Sequence, residues 1–111
     1  NGINPVKKFI RKEMINKGYD QFSGLMLERY FRQLYAEKER VTEVGHWWDK
    51  SGENEIDLIA IEKLDKRVTI GEVKRNEKKI SMQTLEEKFV NIRSHFRGYQ
   101  IQFIALSLGD M

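Results

Sequence analysis

Asn54-Glu55-Ile56-Asp57-Leu58-Ile59-Ala60-Ile61 and Val68-Thr69-Ile70-Gly71-Glu72-Val73-Lys74 flank the short charged segment Lys63-Leu64-Asp65-Lys66. Both flanks are rich in β-branched and aliphatic residues, the composition of a buried strand. The segment between them has the length of a hairpin turn. A turn centred between Leu64 and Asp65 sets Asp57 opposite Glu72. Directly opposed residues have Cβ atoms roughly 4.5–5.5 Å apart. Two ionised carboxylates that close repel one another, and burial away from water adds to the cost. A divalent cation between them is the simplest relief, because hard cations take oxygen ligands. Lys74 follows Glu72 by two positions, so it projects from the same face about 6.6 Å further along. An ammonium there suits an anionic substrate or a nucleophilic water. Charges placed this way inside adjacent buried strands indicate a site.

Around the hairpin the remaining elements fall into order. Glu43 to Trp48 reads as a strand, and Asp49-Lys50-Ser51-Gly52 as a turn. Asn76-Glu77-Lys78-Lys79 reads as a loop. Ser81 caps a helix in which Met82, Leu85, Phe89, Ile92 and Phe96 step by three and four, ending before Gly98. Gln100 to Leu108 reads as a last buried strand, and the preceding helix is long enough to return it in parallel. Upstream, Gln21 to Glu37 reads as a helix with the stripe Leu27, Phe31, Leu34 and Tyr35, leaving Arg29, Gln33 and Ala36 outside. Glu28 falls at the stripe's edge one turn after Gly24, whose small size leaves room for a ligand; a solvent-facing edge glutamate is the plain alternative. Asn4, Pro5 and Gly18 mark the ends of a first helix whose apolar stripe is Val6, Phe9, Ile10 and Met14. The fold class is therefore α/β, a central mixed sheet flanked by helices plus an N-terminal helix. Residues 1–19 form a helical extension and residues 20–111 the main domain.

The chain has 111 residues, 33% of them charged, and no cysteine. That is one domain's worth of core, without disulfides or thiolate metal ligands, and compatible with a cytoplasmic location. No stretch approaches the roughly 20 apolar residues of a membrane span. The net charge is +3, and residues 1–17, with Lys7, Lys8, Arg11, Lys12 and Lys17 against Glu13, hold more than all of it. The rest of the chain is no uniformly basic nucleic-acid binder. One local cluster, Lys74, Arg75, Lys78 and Lys79, can hold phosphates, although such runs are commonly solvated loops. The start at Asn1, without an initiator Met, is expected of a piece of a longer protein.

An Asp on one strand and Glu-x-Lys on the next, here Asp57 and Glu72-Val73-Lys74 in an αβββαβ order, resembles the PD-(D/E)XK nuclease superfamily. The resemblance covers about residues 20–108 and implies a restriction-endonuclease-like core. Glu28 matches the additional helix-borne acid of some branches. Ile56 replaces the usual proline before the first acid. The Gln-x-x-x-Tyr motif of the RecB-like branch is absent, since Gln83 is followed four residues later by Glu87. Phe22-Ser23-Gly24 with Glu28, Gly45-His46-Trp47-Trp48, Glu55-Ile56-Asp57 and Gly71-Glu72-Val73-Lys74 look like the C-terminal domain of prokaryotic and archaeal AAA-type ATPases. That resemblance implies an upstream ATPase module on the same polypeptide.

What the resemblance implies is a metal-dependent endonuclease acting on DNA. Asp57, Glu72 and the Val73 carbonyl would ligate Mg²⁺ or Mn²⁺, Glu28 would assist directly or through water, and Lys74 would orient the attacking water. A second reading keeps the fold without the chemistry, as a DNA-docking or protein-interaction module that regulates the attached ATPase. A third makes Asp57, Glu72 and Lys74 a structural ion cluster. Buried ion pairs are a poor route to stability, which ranks this third reading last. His46 and His95 are expected to be structural or superficial. Trp47 and Trp48 alternate on one strand, so at most one could stack on a base, and packing is the expected role of both.

Overall fold

A computed structural model of the chain describes residues 23–111. The expected first helix and the extension over residues 1–19 lie outside these residues. Helix α1 (Gly24–Ala36) starts where the Ser23 hydroxyl accepts a hydrogen bond from the Met26 N–H at 3.1 Å. That cap satisfies a helix-end donor with no partner inside the helix, and it sets the start at Gly24 rather than Gln21. Leu27, Tyr30 and Phe31 are buried, while Leu34 and Tyr35 are only partly covered. The packing stripe is thus turned toward Tyr30 relative to the expected one.

Strands β1 (Glu43–Trp48), β2 (Glu55–Glu62) and β3 (Arg67–Val73) follow, then helix α2 (Met82–Phe89) and strand β4 (Gln100–Leu106). They form one four-stranded sheet in the order β1-β2-β3-β4. β1, β2 and β3 are antiparallel neighbours, and β4 lies parallel to β3, as the crossover through α2 requires. The hairpin register is the expected one: Ile59 faces Ile70 and Leu58 faces Gly71. Lys66 closes the turn in the left-handed region, at φ 52°.

The sheet is covered on both faces. Leu27, Tyr30 and Phe31 of α1 pack with Leu58, Val73 and Leu106 on one side. Leu85, Phe89 and Ile92 pack with Ile56, Ile59, Val68 and Ile70 on the other. The first layer closes tightly at Gly71: a Cβ there would lie 3.1 Å from two Leu58 side-chain atoms and 3.4 Å from Ile104 Cγ1. Among the described residues, no helix is long and apolar enough to cross a membrane.

The helix expected from Ser81 to Phe96 is not continuous. Ser81 caps it as expected, accepting from the Thr84 N–H at 3.2 Å. Beyond Phe89 the chain tightens into 3₁₀ turns, Val90–Phe96. Two causes are visible. Val90 and Ile92 are β-branched and weak helix formers. The Asn91 side-chain amide donates to the Lys88 carbonyl at 2.9 Å, competing for an acceptor the α-helical ladder would use. The apolar spacing survives the change of pitch: Leu85, Phe89 and Ile92 remain buried, and Met82 lies at the rim. The loop over residues 76–79 contains a 3₁₀ turn, Glu77–Lys79, capped by the Asn76 side chain. The last strand ends at Leu106 and gives way to another such turn, Leu108–Asp110.

Candidate active site

Strand β2 carries a defect at the position that matters. Gly45 pairs with Ile59 and Trp47 with Ile56, so His46 on β1 stands against two β2 residues, Asp57 and Leu58. This is a β-bulge, which re-aims side chains and is common beside active sites. The β2–β3 ladder stops at Leu58 and Gly71, one pair short of Asp57 and Glu72, while β3 continues to pair with β4 through Val73. The Val73 N–H donates to Asp57 Oδ2 at 2.9 Å. A side-chain carboxylate thus takes the donor that the ended ladder leaves behind.

Asp57 and Glu72 are 6% and 5% exposed. They line one cleft of about 360 Å³ together with Glu28, Val73, Lys74 and Lys88. Burial pushes the Asp57 carboxyl from its ordinary 3.8 up to about 7; the Val73 N–H works against that rise, and the charges of Glu28 and Glu72 with a Glu72 carboxyl hydrogen bond add to it. The lowering and raising causes have distinct origins: an N–H favours the ionised acid, whereas loss of water and neighbouring anions disfavour it.

Lys74 Nζ lies 3.9 Å from Glu72 Oε1, with the lysine side chain 47% exposed. Lys88 Nζ lies closer, 3.3 Å from Glu72 Oε2, and its side chain is only 17% exposed. Sequence reasoning passed over Lys88. Its signal was the spacing of three after Leu85 and four before Ile92, which sets a lysine on the apolar stripe of α2. Arg32 was also passed over. Its guanidinium donates to the Asp57 backbone carbonyl at 3.1 Å and meets Glu28 Oε1 at 3.6 Å, tying α1 to the bulge.

Glu28 therefore stands at the rim of the acid pair, held by Arg32. Among the described residues, no group of three or more His, Cys, Asp and Glu side chains is gathered to hold a metal ion; the gathered carboxylates are the pair Asp57 and Glu72. Lys74, Arg75 and Lys79 line a neighbouring cleft of about 540 Å³ with Gly24 and Glu28, and Lys78 is exposed outside it. Nothing lies within 4 Å of a Cβ built on Gly24, so the opening there is real space. Gln83 donates to Glu87 at 3.3 Å on the exposed side of α2.

Residues 3–85 match DUF234, a family of archaeal and bacterial proteins of unknown function. The chain belongs to the DUF234 family. The matched span takes in Glu28, Asp57, Glu72 and Lys74, and ends before Lys88 and β4. No curated protein and no solved structure matches this DUF234 chain.

Proposed function

We propose that this DUF234 chain is a metal-dependent phosphodiesterase domain that cleaves DNA. The observation that carries the reading is the buried acid pair in an open cleft. The Asp57 carboxyl has no cationic partner among the described residues, only the Val73 N–H and the neighbouring Glu72 carboxyl, and its proton is held up to about 7 by burial beside two other acids. A site of that kind fits a hard divalent cation, since its donors are all oxygens. Asp57, Glu72 and the Val73 carbonyl would hold Mg²⁺ or Mn²⁺, with Glu28 near enough to act through water. The chemistry such an ion supplies when bound is a more acidic water and a polarised phosphate.

The chain's own side chains supply the rest. Lys88, from the helix that covers the face Glu72 shares with Val68 and Ile70, holds one Glu72 oxygen and so fixes the direction of the carboxylate. Lys74 is the more exposed of the two lysines on Glu72 and reaches into the cleft. Its ammonium would orient the attacking water and offset charge developing on the phosphorane, a contribution of roughly 3–4 kcal/mol for a well-aimed donor. Arg75 and Lys79 sit beside it in the adjoining cleft, where flanking phosphates would lie. The resemblance to AAA-type ATPase C-terminal domains adds an ATPase module upstream and a DNA-linked role for the whole polypeptide.

The test is Mn²⁺-dependent nicking of supercoiled plasmid. Glu72→Ala should abolish nicking while the circular dichroism spectrum is kept. A variant as active as the parent would sink the assignment. A second reading, a silent module for DNA docking or protein interaction, is favoured by one observation: both oxygens of Glu72 already meet a lysine. Under that reading the parent shows no nicking at any metal concentration.

A further inference from the structure

Glu28 borders a third space. Besides the basic and acidic clefts, it lines a slot of about 230 Å³ whose walls include His46, Trp47 and Trp48 of β1. Trp47 packs against the core layer beneath α2, whereas Trp48 is 57% exposed. The Trp48 indole meets the His46 ring, centroids 4.8 Å apart and tilted by 41°. An exposed indole held against a neighbouring ring at the mouth of a pocket is a platform, not core packing.

We propose that this slot receives one unpaired nucleobase of a single-stranded nucleic acid whose backbone crosses the Asp57–Glu72 pair. The inference rests on the phosphodiesterase reading and names the form of its substrate. The charges of the slot decide which part of a nucleotide enters. Glu28, Glu55 and Asp57 line it against one guanidinium, Arg32, which is already engaged by Glu28 and the Asp57 carbonyl. Three carboxyl groups repel a phosphate. They accept hydrogen bonds from the amino groups of a neutral base, and the Trp48 face offers stacking. Phosphates have their own place in the cleft on which Glu28 also borders, beside Lys74 and Lys79. A base inside a duplex has its faces stacked and its pairing edge occupied, so only an unpaired one can enter.

Binding is read with Ca²⁺ in place of Mg²⁺ or Mn²⁺, a hard cation that neutralises the acid pair but is a weaker Lewis acid for cleavage, by tryptophan fluorescence on titration with a short deoxyadenylate strand and with a blunt hairpin duplex. The strand should quench the emission. Trp48→Ala should weaken strand binding by roughly five-fold or more, the effect of losing one stacked base. Trp48→Phe should keep most of the affinity, and duplex binding should be the same in all three proteins. Strand binding unaltered in Trp48→Ala, a duplex held as tightly as the strand, or no binding of either overturns the slot. Cleavage of the same strand with Mn²⁺ separates this inference from the one it rests on. Parent cleavage without dependence of binding on Trp48 condemns the slot alone. Trp48-dependent binding without any parent cleavage supports the slot and condemns the phosphodiesterase reading.

Discussion

Replacing Asp57 by Asn should stabilise the protein at neutral and alkaline pH and leave it unaltered in acid. Folding raises the Asp57 carboxyl from 3.8 to about 7. Between those values the folded chain keeps a proton that the unfolded chain gives up. Stability associated with this group is therefore complete below the lower value and lost as pH rises through the upper one. Each pH unit inside the window lowers the unfolding free energy by about 1.4 kcal/mol. Over the whole window the loss reaches at most about 4 kcal/mol. Asn mimics the protonated acid. Its amide oxygen can still accept the Val73 N–H, and its NH₂ can donate toward Glu72, but it cannot ionise.

The assay is urea denaturation followed by tryptophan emission, at a series of pH values in EDTA. The variant-minus-parent difference should grow by about 1.4 kcal/mol per unit between roughly pH 5 and 7, then level off. Every other group is common to the two proteins, so the difference isolates position 57. Adding Mn²⁺ should then recover the parent at pH 8 and do nothing for the variant, because an ion bound only by the folded state stabilises it by mass action. A difference that is constant with pH, or a variant less stable at pH 8, would refute the claim that Asp57 is buried without a compensating cation.

Other outcomes follow from neighbouring contacts. Lys88→Met removes the nearer ammonium, the one that aims Glu72, so Mn²⁺ should bind more weakly in a calorimetric titration; tighter binding would mean that Lys88 competes with the ion instead of preforming the site. Gly71→Ala crowds Leu58 and Ile104 and should cost about 1–3 kcal/mol of stability in urea titration. Ser81→Ala deletes the cap of α2 and should cost about 1 kcal/mol, seen as a lowered denaturation midpoint.

The hairpin was legible because its turn fixes register by length alone, and register fixes which side chains face each other. Strand β1 and the crossover to β4 were legible for a similar reason: apolar runs of strand length bounded by turn residues leave few alternatives. What the sequence could not display was the bulge opposite His46. It arises from how β1 meets β2, a tertiary match that no local pattern encodes, and it decides where the Asp57 side chain points. Lys88 was hidden by the opposite effect. A lysine on an apolar stripe reads as an edge residue whose ammonium reaches water, and only the position of Glu72 on the facing strand shows that it reaches inward. The break in α2 depended on a side-chain hydrogen bond from Asn91, which spacing rules pass over.

The structural-ion-cluster reading can be weighed against these contacts. Such a cluster should put cations on the acids that burial penalises most. The two lysines of the site, Lys74 and Lys88, both lie on Glu72. The carboxylate of Asp57, where burial, Glu28 and Glu72 all oppose ionisation, has the Val73 N–H. No ion pair reaches it among the described residues, and Arg32, the nearest guanidinium, is spent on its backbone carbonyl and on Glu28. An asparagine could make the same bond to Val73 without the cost of a buried acid. Stability alone therefore gives no reason for a carboxyl at position 57, whereas a site that must attract a cation from solution requires that its charge be left unbalanced until the cation arrives.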